Sequence, residues 1–346
     1  METLWFCLIA IMITGYVVFD GFDLGAGIVH LRVARDPRER ARVLRTIGPV
    51  WDGNEVWLLA AGGTLFFAFP TLYASSFSGF YLPLTVVLWL LILRGVSLEF
   101  RHHLEGPVWK PLWDVVFSGA SILLAIFFGA ALGGVVRGVP LTESGYFFEP
   151  LWTDFRTGPP TGVIDWYTSI VGIASLLTLA VHGALWIALK TDGPLRLRSI
   201  RVGRALWWAL CASTVAVTIA TFVVQPHVPQ RLSDRPWGLL FPLLALAGLF
   251  GIPLFLSRRN DLAAFLSSCA YIVGMLTSVA FGIYPFVLPA NTDPAYALTV
   301  HNAAAAATGL RIGLIWWIPG MLLVAGYFVL LYRRFAGRVP DDAEPH

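Results

Sequence analysis

From residue 4 onward the sequence is a succession of apolar runs long enough to cross lipid. A hydrocarbon core of about 30 Å takes roughly 20 residues of α-helix. Runs of this kind lie near 4–30, 51–69, 76–97, 114–135, 164–189, 205–224, 237–256, 262–284 and 311–332. Lipid cannot satisfy open peptide groups, so only helices or a closed barrel can span it. A barrel would need short alternating segments, and these runs are long and continuous. The expected fold is an all-α polytopic membrane protein with about nine transmembrane helices, in a single integral membrane domain over 1–346. Charged residues make up only 13% of the chain, where a soluble domain carries about 25%. That is too little charge to cover a water-exposed surface.

The arginines orient the spans. Arg32, Arg35, Arg38, Arg40, Arg42 and Arg45 follow the first span. Arg101 and Lys110 follow the third, and Lys190, Arg196, Arg198, Arg201 and Arg204 follow the fifth. Arg258 and Arg259 follow the seventh, and Arg333, Arg334 and Arg338 follow the last. These alternate connections hold 18 of the 24 basic residues. The positive-inside rule places them in the cytoplasm, with the N-terminus outside and the C-terminus cytoplasmic. The second span is the weakest, because Asp52 and Glu55 stand at its start. Without it, however, the two most arginine-rich loops would fall on opposite sides. The N-terminal run lacks a basic leader and carries Glu2, so it reads as a retained first span and not a cleaved signal. The longest connection, 136–163, is expected outside as an irregular loop.

Ionisable groups within spans are costly and usually mark function. Asp20 and Asp23 in GYVVFDGFDLGAG (15–27) are three apart and share one helix face. Gly21 and Gly25 beside them allow close approach of a neighbouring helix. WDGNEVW (51–57) repeats the spacing with Asp52 and Glu55, at a helix start where negative charge is favoured. Four carboxylates thus gather toward the cytoplasmic side. Burial disfavours the charged form of a carboxylate, which lets such a group take up and release a proton. One reading is a proton-entry region. The other is helix capping and pairing with nearby arginines. Arg94, Glu99 and Arg101 in RGVSLEFRHH (94–103) form a further charge cluster. Arg94 is deep enough to need a partner or to snorkel, and that partner could be one of the same carboxylates.

His182 is the only histidine well inside a span. Haem needs axial ligands from facing positions, so any haems of an electron-transfer complex are expected mainly in another chain. The three cysteines show no metal-site spacing. No P-loop, nucleophile elbow or HExxH is present, and nothing points to nucleic acid.

GYVVFDGFDLGAG, the Glu39-Arg40 pair in its arginine-rich loop, and PVWDGNEVWLLAAGGTLFFAFPTLYASSFSGFY (49–81) carry a family resemblance. So do RGVSLEFR (94–101), YPFVLP (284–289) and LTVHNAAAAATGL (298–310). Over essentially its whole length the chain resembles subunit II of the cytochrome bd-type quinol oxidases. The resemblance implies two four-helix bundles plus one peripheral helix. It also implies a larger homologous subunit I, which binds the b- and d-type haems, oxidises quinol and reduces oxygen to water. Subunit II of the family supports assembly and haem insertion, and contributes the entrance of a proton channel at the subunit interface. That role maps onto Asp52 in the matching WDGN. Its extension to Asp20, Asp23 and Glu55 is open, since the position of Glu55 can be Gln in other members. The resemblance leaves room for a structural quinone or lipid in an internal cavity, and for small accessory subunits. A proton-coupled secondary transporter is the alternative from another class, but the carboxylates crowd one end of the spans and not the midplane expected of such folds.

Overall fold

The computed structural model describes residues 1–340. Its twelve α-helices are α1 (Glu2–Val33), α2 (Pro37–Ile47), α3 (Trp51–Ala68), α4 (Pro70–Gly79), α5 (Tyr81–Phe100), α6 (Trp109–Arg137), α7 (Trp166–Lys190), α8 (Gly193–Val224), α9 (His227–Asp234), α10 (Leu240–Ser257), α11 (Asp261–Ile283) and α12 (Ala307–Arg334). Eight of these, one of them extended by a short 3-10 turn, are long and apolar enough to cross a membrane alone. α3 and α4 reach that standard only as a pair, bent by 120°. The break falls at Phe69-Pro70, where Pro70 opens α4 as its first residue, a position that does not need its missing N–H.

α3 is nonetheless a crossing. The arginine-rich ends of α1 and α5 meet at Asp114, through His30 and Arg101. The chain between them must therefore leave that arginine-rich end and return from the far one, and α3 makes the outward pass. α4 is the short turn at the far end that delivers the chain to α5.

α7 lies at the centre. α1, α6, α8 and α11 all pack on it, and α10 packs on α11. The α1–α7 crossing is a backbone contact. A methyl group on Gly25 would lie 2.0 Å from the Leu179 carbonyl oxygen, and one on Gly183 would lie 2.0 Å from the Gly25 carbonyl carbon. The main core runs along this crossing through Phe22, Ala26, Val181 and Ala184.

The arginine-rich loop after α1 folds as an amphipathic helix, which its charge concealed. Asp36 caps α2 by accepting from the Arg38 and Glu39 N–H groups, and Val43, Leu44 and Ile47 are buried beneath it.

α12 is peripheral, with only Leu310 and Phe328 of its residues buried. It is fastened chiefly at its ends. At the far end the Trp5 indole donates to the Leu310 carbonyl at 3.2 Å. At the arginine-rich end the chain beyond it lies across α2 and α7. There the Val339 N–H donates to the Lys190 carbonyl at 2.8 Å, and Arg42 donates to the Val339 carbonyl at 2.8 and 3.1 Å. Between these ends, α12 leaves an apolar groove of about 490 Å³ against α1 and α3, lined by Trp5, Met12, Gly63, Phe67, Gly313 and Trp317.

Candidate functional site

Charge inside the molecule is concentrated in three buried clusters. The first joins α1, α3, α5 and α12. Asp20 and Asp23 are both fully buried and share one face, but they meet different partners. Arg94 donates to Asp20 from both terminal nitrogens, at 3.0 and 2.5 Å. Asp23 accepts through Oδ2 from the Asn54 amide at 2.7 Å, while its Oδ1 is buried with no hydrogen-bond partner. Asn54 in turn accepts from the Tyr332 hydroxyl at 2.8 Å. Tyr16 Oη and Arg94 Nε are also buried and unsatisfied. Glu55, one residue on, is half-buried and within electrostatic reach of Arg94, Asp20 and Asp52. Asp52 is exposed on the first turn of α3. The four carboxylates therefore form a graded set, from solvent-facing Asp52 through Glu55 to buried Asp20 and Asp23.

The second cluster centres on Asp114, which is buried in α6. Arg101 donates to it at 2.6 and 3.4 Å, Arg40 of α2 at 3.4 Å, and His30 Nε2 lies 3.0 Å from it. The expected grouping of Arg94, Glu99 and Arg101 thus divides. Arg94 faces Asp20 and Arg101 faces Asp114, while exposed Glu99 takes part in no ion pair among the described residues. A seven-residue separation sets both arginines on one side of α5, but on different turns, and each turn meets a different carboxylate. Asp114→Asn is expected to cost about 2 kcal/mol, the scale of hydrogen bonds to charged groups, because it strips charge from a site holding Arg101. Thermal unfolding of the purified protein measures this, and an unchanged midpoint would contradict it.

The third cluster lies at the far end and had no counterpart in the sequence reading. Arg137, at the end of α6, is buried against Asp165 and Glu149. A lone arginine at the close of an apolar run, followed by acidic residues in the next loop, was the available signal.

His182 has both ring nitrogens engaged. Nε2 donates to the Val18 carbonyl at 3.0 Å, and Nδ1 lies 2.7 Å from Ser268 Oγ. The ring stacks on Phe265 at 4.8 Å. His30 is turned to Asp114. His182 therefore has no nitrogen free for an axial haem ligand, while His30 keeps Nδ1 buried and unpartnered. Among the described residues no three His, Cys, Asp or Glu side chains converge as a metal site.

Fold and site together define a polytopic α-helical membrane protein with ionisable groups gathered inside its helix bundle. Comparison with known proteins gives the family. A family model described as cytochrome bd terminal oxidase subunit II matches residues 1–335. A probable cytochrome oxidase subunit 2 of Haemophilus influenzae is 29% identical, covering 98% of this chain and 95% of that protein. Cytochrome bd-I ubiquinol oxidase subunit 2 of Escherichia coli K12 is 28% identical, covering 99% and 96%. Cytochrome bd ubiquinol oxidase subunit 2 of Bacillus subtilis is 28% identical, covering 98% and 97%. The fold is shared with the solved bd oxidase from Geobacillus thermodenitrificans, with a TM-score of 0.74 at 18% identity over 96% of this chain and 98% of that one. The chain belongs to the cytochrome bd terminal oxidase subunit II family. It is therefore a bacterial membrane protein and one subunit of an oxidoreductase complex, in which subunit II implies a subunit I. Family membership supersedes the transporter alternative.

Proposed function

We propose that this chain is the haem-free subunit of a quinol-oxidising, oxygen-reducing complex, and that it carries protons inward from the cytoplasm through the first charge cluster. The observation that carries the proton reading is Asp23, wholly buried with one carboxylate oxygen unpartnered, standing behind half-buried Glu55 and exposed Asp52. A carboxylate needed only for structure would have its lone pairs filled. Asp52 would collect protons at the surface, Glu55 would relay them, and Asp23 would accept them with a water filling its free side. Arg94 offsets the charge of Asp20, and so reduces the repulsion that a second buried carboxylate would otherwise meet.

The arginine-rich end would face the cytoplasm by the positive-inside rule, with the N-terminus outside. Residues 1–346 would act as one integral membrane domain. The helix neighbours support two four-helix groups, α1, α3, α5 and α6 beside α7, α8, α10 and α11, with α12 outside both. Haems would sit in subunit I, because His182 has both ring nitrogens engaged and His30 is anchored to Asp114. The apolar groove along α12 suits a lipid or quinone tail.

Asp52→Asn is expected to slow oxygen consumption severalfold while haem content is kept. Oxygen-electrode rates normalised to the reduced haem spectrum test this. An unchanged rate would remove Asp52 from the path, and loss of haem would assign it to assembly instead.

A further inference from the structure

The cluster at the far end holds two carboxylates and one guanidinium, all out of water. Arg137, Glu149 and Asp165 are each buried to within a few percent. With both acids ionised the site would carry a net negative charge in a region that hydrates none of it, which is expensive. One proton on either acid would remove the excess.

The hydrogen bonds decide which acid holds it. Asp165 caps α7. Its Oδ1 accepts from the Tyr167 and Thr168 N–H groups at 2.7 and 2.9 Å, and its Oδ2 accepts from Arg137. It also sits at a helix N-terminus, where negative charge is favoured. Glu149 accepts from Arg137 Nη2 at 2.5 Å through Oε1, and the Thr161 hydroxyl beside it is a weaker second donor. Its Oε2 is buried with no partner. Donors support an ionised acid, and three strong ones act on Asp165, against Arg137 and the weaker Thr161 hydroxyl on Glu149.

The free oxygen has somewhere to turn. Glu149 lines a cavity of about 90 Å³ between α5 and α6, whose other walls include Phe80, Leu84, Phe128 and Gly134. The Thr161 hydroxyl is buried close beside the Glu149 carboxyl and has no other hydrogen-bond partner among the described residues. A single water needs roughly 10–15 Å³ and two or more polar partners. The cavity has the volume, and Glu149 on its wall with the Thr161 hydroxyl beside it supplies the two polar partners.

We propose that Glu149 is a proton-exchange site: its Oε2 holds a proton in the folded protein and shares it with a water bound between Glu149 and Thr161. The step is a simple transfer, in which the carboxylate takes a proton from hydronium and returns it to water. The charged groups facing Glu149 are Arg137 of α6 and Asp165 of α7, and the residues lining the cavity from α5 carry no charge. Burial pushes the Glu149 carboxyl above its ordinary value, more than Arg137 pulls it down. The site is remote from the cytoplasmic cluster and does not depend on that reading.

Infrared spectra of the purified complex, titrated across neutral pH, test the assignment. A protonated carboxylic-acid carbonyl band is expected in the wild type, and one component of it should be lost in Glu149→Gln. Thr161→Val should leave the band in place but shift it, since the acid then has lost one anchor of its water. A titrating acid whose folded value is raised stabilises the protein below the ordinary glutamate range, and that contribution fades as pH rises through the raised value. The wild type should therefore lose thermal stability across this window, and Glu149→Gln should lose less. The proposal is overturned if the acid band is unaltered in Glu149→Gln. Should that variant not assemble, an unshifted band in Thr161→Val or a wild-type stability flat with pH overturns it equally.

Discussion

Replacing Arg94 by methionine is expected to cost about 3–5 kcal/mol of stability, the range for breaking a buried ion pair from one side, and to leave little assembled complex. Arg94 and Asp20 are almost completely inaccessible, and the guanidinium holds the carboxylate with both terminal nitrogens. Removing the arginine leaves Asp20 charged, dry and beside Asp23. The neutral double variant Asp20→Asn with Arg94→Met should recover much of the loss, because the cost lies in the orphaned charge more than in the missing attraction. Arg94→Lys should fall between, as an ammonium cannot reproduce the planar two-point contact. Yield by size-exclusion chromatography and the unfolding midpoint measure the series. An Arg94→Met protein as stable as the wild type would show that the Arg94–Asp20 pair does not anchor the fold.

The pairing of Arg94 was legible in the sequence for a physical reason. An arginine that deep in an apolar run must find an anion, and the run GYVVFDGFDLGAG offered two. Its exact choice was not legible. Asp20 and Asp23 look equivalent at a spacing of three, and what separates them is Asn54, whose neutral amide gave no charge signal, and Tyr332 from the distant last helix. Asp114 was hidden differently. It stands one turn inside α6, where it reads as part of an interfacial start, and its partners come from three other elements. The amphipathic α2 was concealed because its four arginines outweigh its three buried aliphatic residues in any average. The Phe69-Pro70 break carried its signal in the proline, but the apolar run continues through it, so hydropathy alone blurs α4 into the next span.

Alanine at Gly25 or Gly183 is expected to be as damaging as the loss of Arg94, at about 3 kcal/mol or more, the upper range for overpacking a tight interior. The sequence marked Gly21 and Gly25 as a small-residue pair, but the two are unequal. A methyl on Gly21 would meet the tip of Leu179 at 3.0 Å, a side chain that can rotate away. On Gly25 it would meet the Leu179 carbonyl oxygen and the Gly183 nitrogen at 2.0 and 2.6 Å, and neither backbone can move without parting α1 from α7. Parting them also breaks the bond from His182 Nε2 to the Val18 carbonyl, which leaves two polar groups unsatisfied in the core. Gly119, with nothing within 4 Å of its added methyl, is the control, and alanine there should be neutral or slightly stabilising from helix propensity. The expected order of unfolding midpoints is Gly119→Ala at or above wild type, Gly21→Ala modestly below, and Gly25→Ala and Gly183→Ala lowest. If Gly25→Ala and Gly21→Ala proved equal, the two helices would be sliding to accommodate the methyl. The buried Asp20 and Asp23, carried on the same face of α1, would then have room to move with them.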